Sequence, residues 1–395
     1  MEKLICRISD IGIVVGGGTP STKNPAYWGG NIPWISPKDL TDYKYTYISR
    51  GENFLTEKGL KSGTRLLPKD TVLFSSRAPI GYVALAANPI CTNQGFKSIV
   101  CDSSKVEALY LYYYLKANLD YIKLFGTGAT FPEISGKTMG KIKIEIHKEL
   151  DTQHRIASIL SAYDSLIENN TKRIRLLEKM AENLYKEWFV RFRFPGYEKA
   201  EMENGLPKGW KVERLFDIAD VMYGYAFKSN HFCDNPALNP VVRIRDIQNN
   251  HTNTFTDEEC EEKYLIKRNA ILIGMDGLFH MCLWNGERAF LNQRVVMLNS
   301  KKVDFCNYLL FMAIHPQIKY WEQVISGTTV AHLGDKHLKR VQVIVPSTEI
   351  LSKANSLIAR IMEKKNILLR QNTLLALRRD LLLPRLMSGK LEVKP

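Results

Sequence analysis

The stretch DTQHRIASILSAYDSLIENNTKRIRLLEKMAENLYKEWFV, residues 151–190, decides the architecture. Apolar residues fall alternately three and four apart along it, at Ile156, Leu160, Tyr163, Ile167, Ile174, Leu177, Ala181, Leu184 and Trp188, with Asn170 the one polar member. That spacing is the seam of a coiled coil. Neither Pro nor Gly interrupts it, and Asp151 with Thr152 supplies an N-cap, so one helix of about 60 Å is predicted. A helix this long is stable only against a partner. From Leu351 to Leu382 the spacing recurs at Leu351, Ala354, Ile358, Ile361, Lys365, Leu368, Asn372, Leu375, Arg379 and Leu382, so the two helices either pair antiparallel or each meet another protein. Pro346 is read as stopping whatever precedes this second helix and Pro384 as ending it. The seam Asn of each helix is expected either to fix register from a buried position or to face solvent at a loose point.

Composition bounds what lies around these helices. A chain of 395 residues with 45% apolar content holds two to three domains with real cores. Its apolar runs are short and broken by charge, and MEKLICRISD at the start has no hydrophobic signal region, so a soluble, untargeted protein is expected. The seven cysteines are scattered and form no CxxC, which suits a reducing cytoplasm. A net charge of +14 and a pI near 9.3 favour a polyanion partner, nucleic acid first and an anionic membrane second.

In chain order the sequence reads module, long helix, module, long helix. The first module spans 1–148, the central helix 149–192, a link 193–206, the second module 207–346, the second helix 347–385 and a tail 386–395. Each module mixes short strands with Gly/Pro turns and a helix, which predicts mixed α/β structure around a small sheet. The second module repeats the first. Asp10-Ile11 matches Asp217-Ile218 and Asp39-Leu40 matches Asp246-Ile247, both at an offset of 207. After a shorter loop the offset becomes 199, pairing Asp70-Thr71-Val72-Leu73 with Asn269-Ala270-Ile271-Leu272, Asn93-Gln94 with Asn292-Gln293, Gly128 with Gly327, Thr130 with Thr329 and Ile142 with Val341. Matched pairs in order, each set closed by a long helix, indicate duplication.

The duplicated plan, QHRIASILSAYDSLIENN at 153–170, LYKEWFVRFRFPG at 184–196 and LPKGWKVERLFDIADV at 206–221 together resemble the specificity subunit of type I restriction-modification systems. The resemblance covers nearly the whole chain, with its specific part in the centre. It implies an α/β (mixed α+β) fold: two target recognition domains separated by two long antiparallel helices. It also implies a non-catalytic, DNA-binding subunit. Two modification subunits would methylate adenine with S-adenosylmethionine, and restriction subunits would use ATP and Mg; no cofactor is expected in this chain.

The residues agree in one respect, since no catalytic motif is present. The Asn-Pro pairs at 24, 88, 235 and 239 lack the Pro-aromatic continuation of an amino-methyltransferase, and neither GxGxxG nor GxxxxGK[ST] occurs. The competing reading is a self-contained DNA methyltransferase or nuclease, for which Asp246 with Glu261-Glu262-Lys263 offers a weak metal pattern. His231, Cys233, Cys260, His280 and Cys282 offer an equally weak zinc pattern.

Candidate DNA contacts come from comparing the repeats. Positions that differ at matched loops are candidates for base readout: Ser36 and Lys38 against Arg243 and Arg245, and Arg77 against Asp276 with Arg294 nearby. Asn93, Gln94, Asn292 and Gln293 either pair with adenine or hold a turn, with the turn favoured. Thr130 and Thr329 are read as phosphate donors. The helix pair is expected to set the gap between half-sites. Trp188, Phe189, Phe192 and Phe194 are candidate anchors for a modification subunit, with packing on their own module the alternative.

Overall fold

The structure, a computed structural model, describes residues 2–128, 132–325 and 331–393. The chain divides into two compact units, residues 1–172 with 369–395, and residues 173–368.

In the first unit five strands form one sheet in the order Gly12–Gly16, Lys97–Cys101, Val72–Ser76, Ile80–Ala86 and Tyr47–Ile48, antiparallel except for the last pair. The middle strand is buried throughout. Its period of two sends alternate side chains into different cores. Val72 and Phe74 join Leu85 and Ile99 beneath the helix Ala108–Ala117 and the start of the central helix, with Ile156 and Leu160. Leu73 joins Ala84, Ala86 and Ile35 on the opposite face, toward a three-stranded sheet of Asn53–Leu55, Trp28–Ile35 and Cys91–Thr92. The helix Ala108–Ala117 buries four tyrosines whose hydroxyls all find partners, as a buried phenol requires, Tyr112 accepting from Lys116 Nζ at 3.2 Å. Tyr110 Oη lies 2.9 Å from His147 Nδ1, Tyr113 donates to Asp164 at 2.5 Å, and Tyr114 accepts from the Glu145 N–H at 3.0 Å.

The second unit repeats this plan. Its sheet runs Ala219–Tyr223, Val295–Ser300, Ile271–Gly274 and Met281–Leu283. Ile271, Ile273, Val296 and Leu298 enter one core, and Leu272, Val295 and Met297 another. The parallel pairs Trp34 with Cys91 and Ile35 with Thr92 recur as Val241 with Phe290 and Val242 with Leu291, at the two sequence offsets. Both units also close by an antiparallel pair, Lys3–Arg7 with Lys143–His147 and Lys211–Arg214 with Gln342–Val345.

The long helices are Leu150–Tyr185 and Thr348–Met387. Seam residues Ile156, Leu160, Asn170, Ala181, Ala354 and Ile358 are buried. Within the first unit Arg379 pairs with Asp164, and the Asn372 side chain donates to Ile167 O at 3.4 Å and Thr171 Oγ1 at 3.3 Å. Within the second, Lys365 meets Glu178 at 2.6 Å. Positions 164, 171 and 178 climb one helix in sevens while 379, 372 and 365 descend the other, so the pairing is antiparallel.

Three sequence expectations are corrected. Asp151 is not the cap; it lies in the first turn, where the helix dipole favours a carboxylate, and pairs with Arg155 at 2.9 Å. After Tyr185 the central helix widens into a π-turn over Lys186–Val190. Pro384 lies inside the second helix, and residues 386 and 387, assigned to a tail, form its last turn. Leu386 and Met387 are 2% and 4% exposed in the first unit's core. Burying two such side chains contributes about 3–6 kcal/mol, which offsets the roughly 3 kcal/mol that an interior proline costs. Among the described residues no helix is long and apolar enough to cross a membrane.

Candidate nucleic-acid interface

In both units the loop after the first sheet strand lies flat on a turn. A Cβ on Gly17 would stand 2.0 Å from the Asn93 carbonyl oxygen, and one on Gly224 would stand 2.0 Å from that of Asn292. Neither position admits a side chain. The turn beneath is hydrogen-bonded alike in the two units. The Asn93 N–H donates to Ile35 O at 2.9 Å and the Asn292 N–H to Val242 O at 3.2 Å. Asn93 Oδ1 accepts from the Gly95 N–H at 2.8 Å, and Asn292 is buried. Asn292 is therefore corrected as an adenine contact, because its amide faces the interior, and Asn93 takes the turn role. Gln94 and Gln293 beside them are exposed, and Thr19 donates its hydroxyl to Gln94 Oε1.

Beside this turn each unit gathers one acid and two basic side chains. In the first, Arg77 lies 3.4 Å from one oxygen of Glu133 and Lys97 lies 3.1 Å from the other. Lys97 also donates to Gln94 O at 3.2 Å, which ties the group to the turn. In the second, Asp276 stands where Arg77 stood and His332 where Glu133 stood, with Asp276 2.6 Å from His332 Nδ1 and 3.6 Å from Arg294 Nε. The backbone bridges Arg77 with Glu133 and Asp276 with His332 are the same bridge. Glu133, Lys97 and His332 were not singled out from the sequence. The offset that joins Gly128 to Gly327 also joins Glu133 to His332, but their dissimilarity hid the match.

The other candidates divide. Ser36 is corrected as a base reader, since its N–H and hydroxyl both bond Asp39 at 2.7 Å to cap a short helical turn. Asp246 does the same work for the Arg243 N–H at 2.9 Å, so the acid of the nuclease pattern is occupied as a cap. The Arg243 guanidinium lies over the Phe232 ring at 5.3 Å. Lys38 is exposed and pairs with Glu52 at 3.0 Å. Arg245 is exposed, with one nitrogen donating to Thr254 Oγ1 at 3.0 Å. Thr130 and Thr329 lie outside the described residues.

The aromatic end of the central helix is corrected as an exposed docking end. Trp188, Phe189 and Phe194 are buried in the second unit's core, and Phe189, Phe192 and Phe194 surround Trp210 with ring centroids 5.9, 5.6 and 5.1 Å away. Trp210, from the entry to the second module, covers the surface that sequence alone left open. Among the described residues no group of three or more His, Cys, Asp or Glu side chains gathers to hold a metal. Burial pushes the Cys101 and Cys282 thiols up to about 12, unlike a thiol nucleophile. This loop end presents exposed guanidinium and amide groups beside half-buried carboxylates on a double-sheet support, a surface suited to hydrogen-bonded recognition.

A family model for the type I restriction modification DNA specificity domain matches this chain twice, at 3–179 and 207–374. The specificity subunit of type I restriction enzyme MjaIX from Methanocaldococcus jannaschii is 36% identical over 412 residues, covering 98% of this chain and 93% of that protein. The specificity subunit of EcoR124I/EcoR124II from Escherichia coli is 30% identical over 200 residues, 48% of each chain. The crystal structure of a type I restriction-modification S subunit from M. genitalium superposes with a TM-score of 0.64 at 15% identity, covering 100% of this chain and 97% of that one.

Proposed function

Because this chain belongs to the family of type I restriction-modification DNA specificity subunits, we propose that it is the non-catalytic reader of its complex. It binds a bipartite DNA sequence, one unit to each half-site. The carrying observation is that the two units share one backbone plan while the side chains at their matched loop tips differ in charge and shape. A shared plan lets each unit approach duplex DNA in the same way, and different tips read different bases. The net charge of +14 supplies the sequence-independent attraction. Two modification subunits and the restriction subunits assemble on it in the cytoplasm, and S-adenosylmethionine, ATP and Mg belong to those partners.

The test is selection of bound duplexes from a random pool, using the chain with its modification subunits at fixed, near-physiological salt. The expected result is two short defined blocks around a constant unread gap, with an adenine in each. A single contiguous motif, or salt-sensitive binding without enrichment, would overturn the reading.

A further inference from the structure

The two groups of one acid and two basic side chains are the same device with its parts moved. Glu133 stands between Arg77 and Lys97, and Asp276 between His332 and Arg294. The acid has moved across the bridge, from position 133 to the counterpart of 77, and the arginine from position 77 to the counterpart of 95. Arg77 has Asp276 as its counterpart, while Arg294 has Gly95. Positions 77 and 95 are neighbours, since a Cβ on Gly95 would lie 3.7 Å from Arg77 Cγ. Each unit therefore presents one accessible guanidinium at the 93–95 or 292–294 turn, Arg294 from the turn itself and Arg77 from the loop beside it.

We infer that Arg77 in the first unit and Arg294 in the second are the guanine-reading residues of their half-sites, positioned by Glu133 and Asp276; this rests on the two-site reading above. A contact to the phosphate backbone is common to any DNA and would keep a cation at one place in both repeats. These positions do the reverse. A guanidinium fork matches guanine O6 and N7 in the major groove, and moving it between loops changes which base pair it meets. Release toward DNA leaves no bare acid: Glu133 keeps Lys97, and Asp276 keeps His332. Both arginines are accessible, with side chains 38% and 58% exposed. Arg294 also sits at a φ of 69°, a left-handed conformation unusual for a residue with a side chain, at the place where the first unit has glycine.

The test uses the full chain with its modification subunits in the same duplex selection. Arg77→Lys keeps the charge and loses the fork. It is expected to lower discrimination at one guanine of one block about 10- to 100-fold, leaving the other block and non-specific affinity unchanged. Arg294→Lys is expected to do the same in the other block. Glu133→Gln is expected to relax the same position as Arg77→Lys and to add nothing in the double variant, whereas a merely structural Glu133 would lower the melting temperature and leave that position alone. A wild-type split motif that survives both lysine variants overturns the inference, as does relaxation of one block by both. Absence of a split motif from the wild-type chain refutes the two-site reading instead.

Discussion

Removing Arg379 is expected to cost far more than removing Lys365, although both make ion pairs across the same helix seam. Asp164, with its side chain 13% exposed, is met by Arg379 on one oxygen and by Tyr113 on the other. In Arg379→Met the carboxylate keeps a single hydroxyl partner and little water. Breaking a fully buried pair costs about 3–5 kcal/mol, and the residual exposure here lowers that to about 2–3 kcal/mol. Glu178 is 48% exposed and turns to solvent when Lys365 is lost, so Lys365→Met should cost under about 1 kcal/mol. For units of about 200 residues these values become falls of about 5–10 °C and at most about 3 °C in the affected calorimetric transition. Asp164→Asn combined with Arg379→Met removes charge and partner together, and should recover at least half the loss. Equal shifts for the two methionine variants, or strict additivity in the double variant, would show that burial does not set the value of these pairs.

Deleting 168–174 together with 369–375 removes seven residues from each helix and keeps Asp164 facing Arg379 and Glu178 facing Lys365. The unread gap of the selected motif should shorten by about 10 Å of helix, or about three base pairs; an unchanged gap would separate the helix pair from the spacing. Stability should also depend on pH through histidines. Burial, with Lys3 adding to it at His147 and Lys319 at His315, holds both below the ordinary imidazole range. The unfolded chain then binds more protons than the folded one as pH falls below about 6.5, so the melting temperature should be level above pH 7 and decline from about 6.5 toward 5. His147→Gln should reduce the decline, and an unchanged slope would count against His147 as a source.

The duplication was legible because offsets survive where side chains do not. Val72 and Ile271, or Trp34 and Val241, occupy matching strands with little more than apolar character in common. The seam was legible because its period is local. What sequence could not supply was the partner surface: nothing in WFVRF says that Trp210 will cover it, and nothing before Pro384 says that Leu386 and Met387 have a core to enter. The site was partly legible for the same reason. Arg77 and Asp276 stood out as unlike residues at matched positions, whereas Glu133 and His332 needed the backbone bridge to be recognised as equivalents. Asn292 stayed open between an adenine contact and a turn, with the turn favoured, because its side-chain chemistry suits both, and burial shows which way it points.

The first unit is finished last. Its core takes Leu386 and Met387, which follow the whole second module in the chain, alongside Tyr110 and Ile156. During synthesis the first module emerges early but waits for the whole second module to follow before its core can close, while the second, built from one continuous segment, needs no such return. A premature stop shortly before Leu386 would spare the second unit and leave the first incomplete. A ribosome that stalls just before Leu386 therefore damages the unit that it made first.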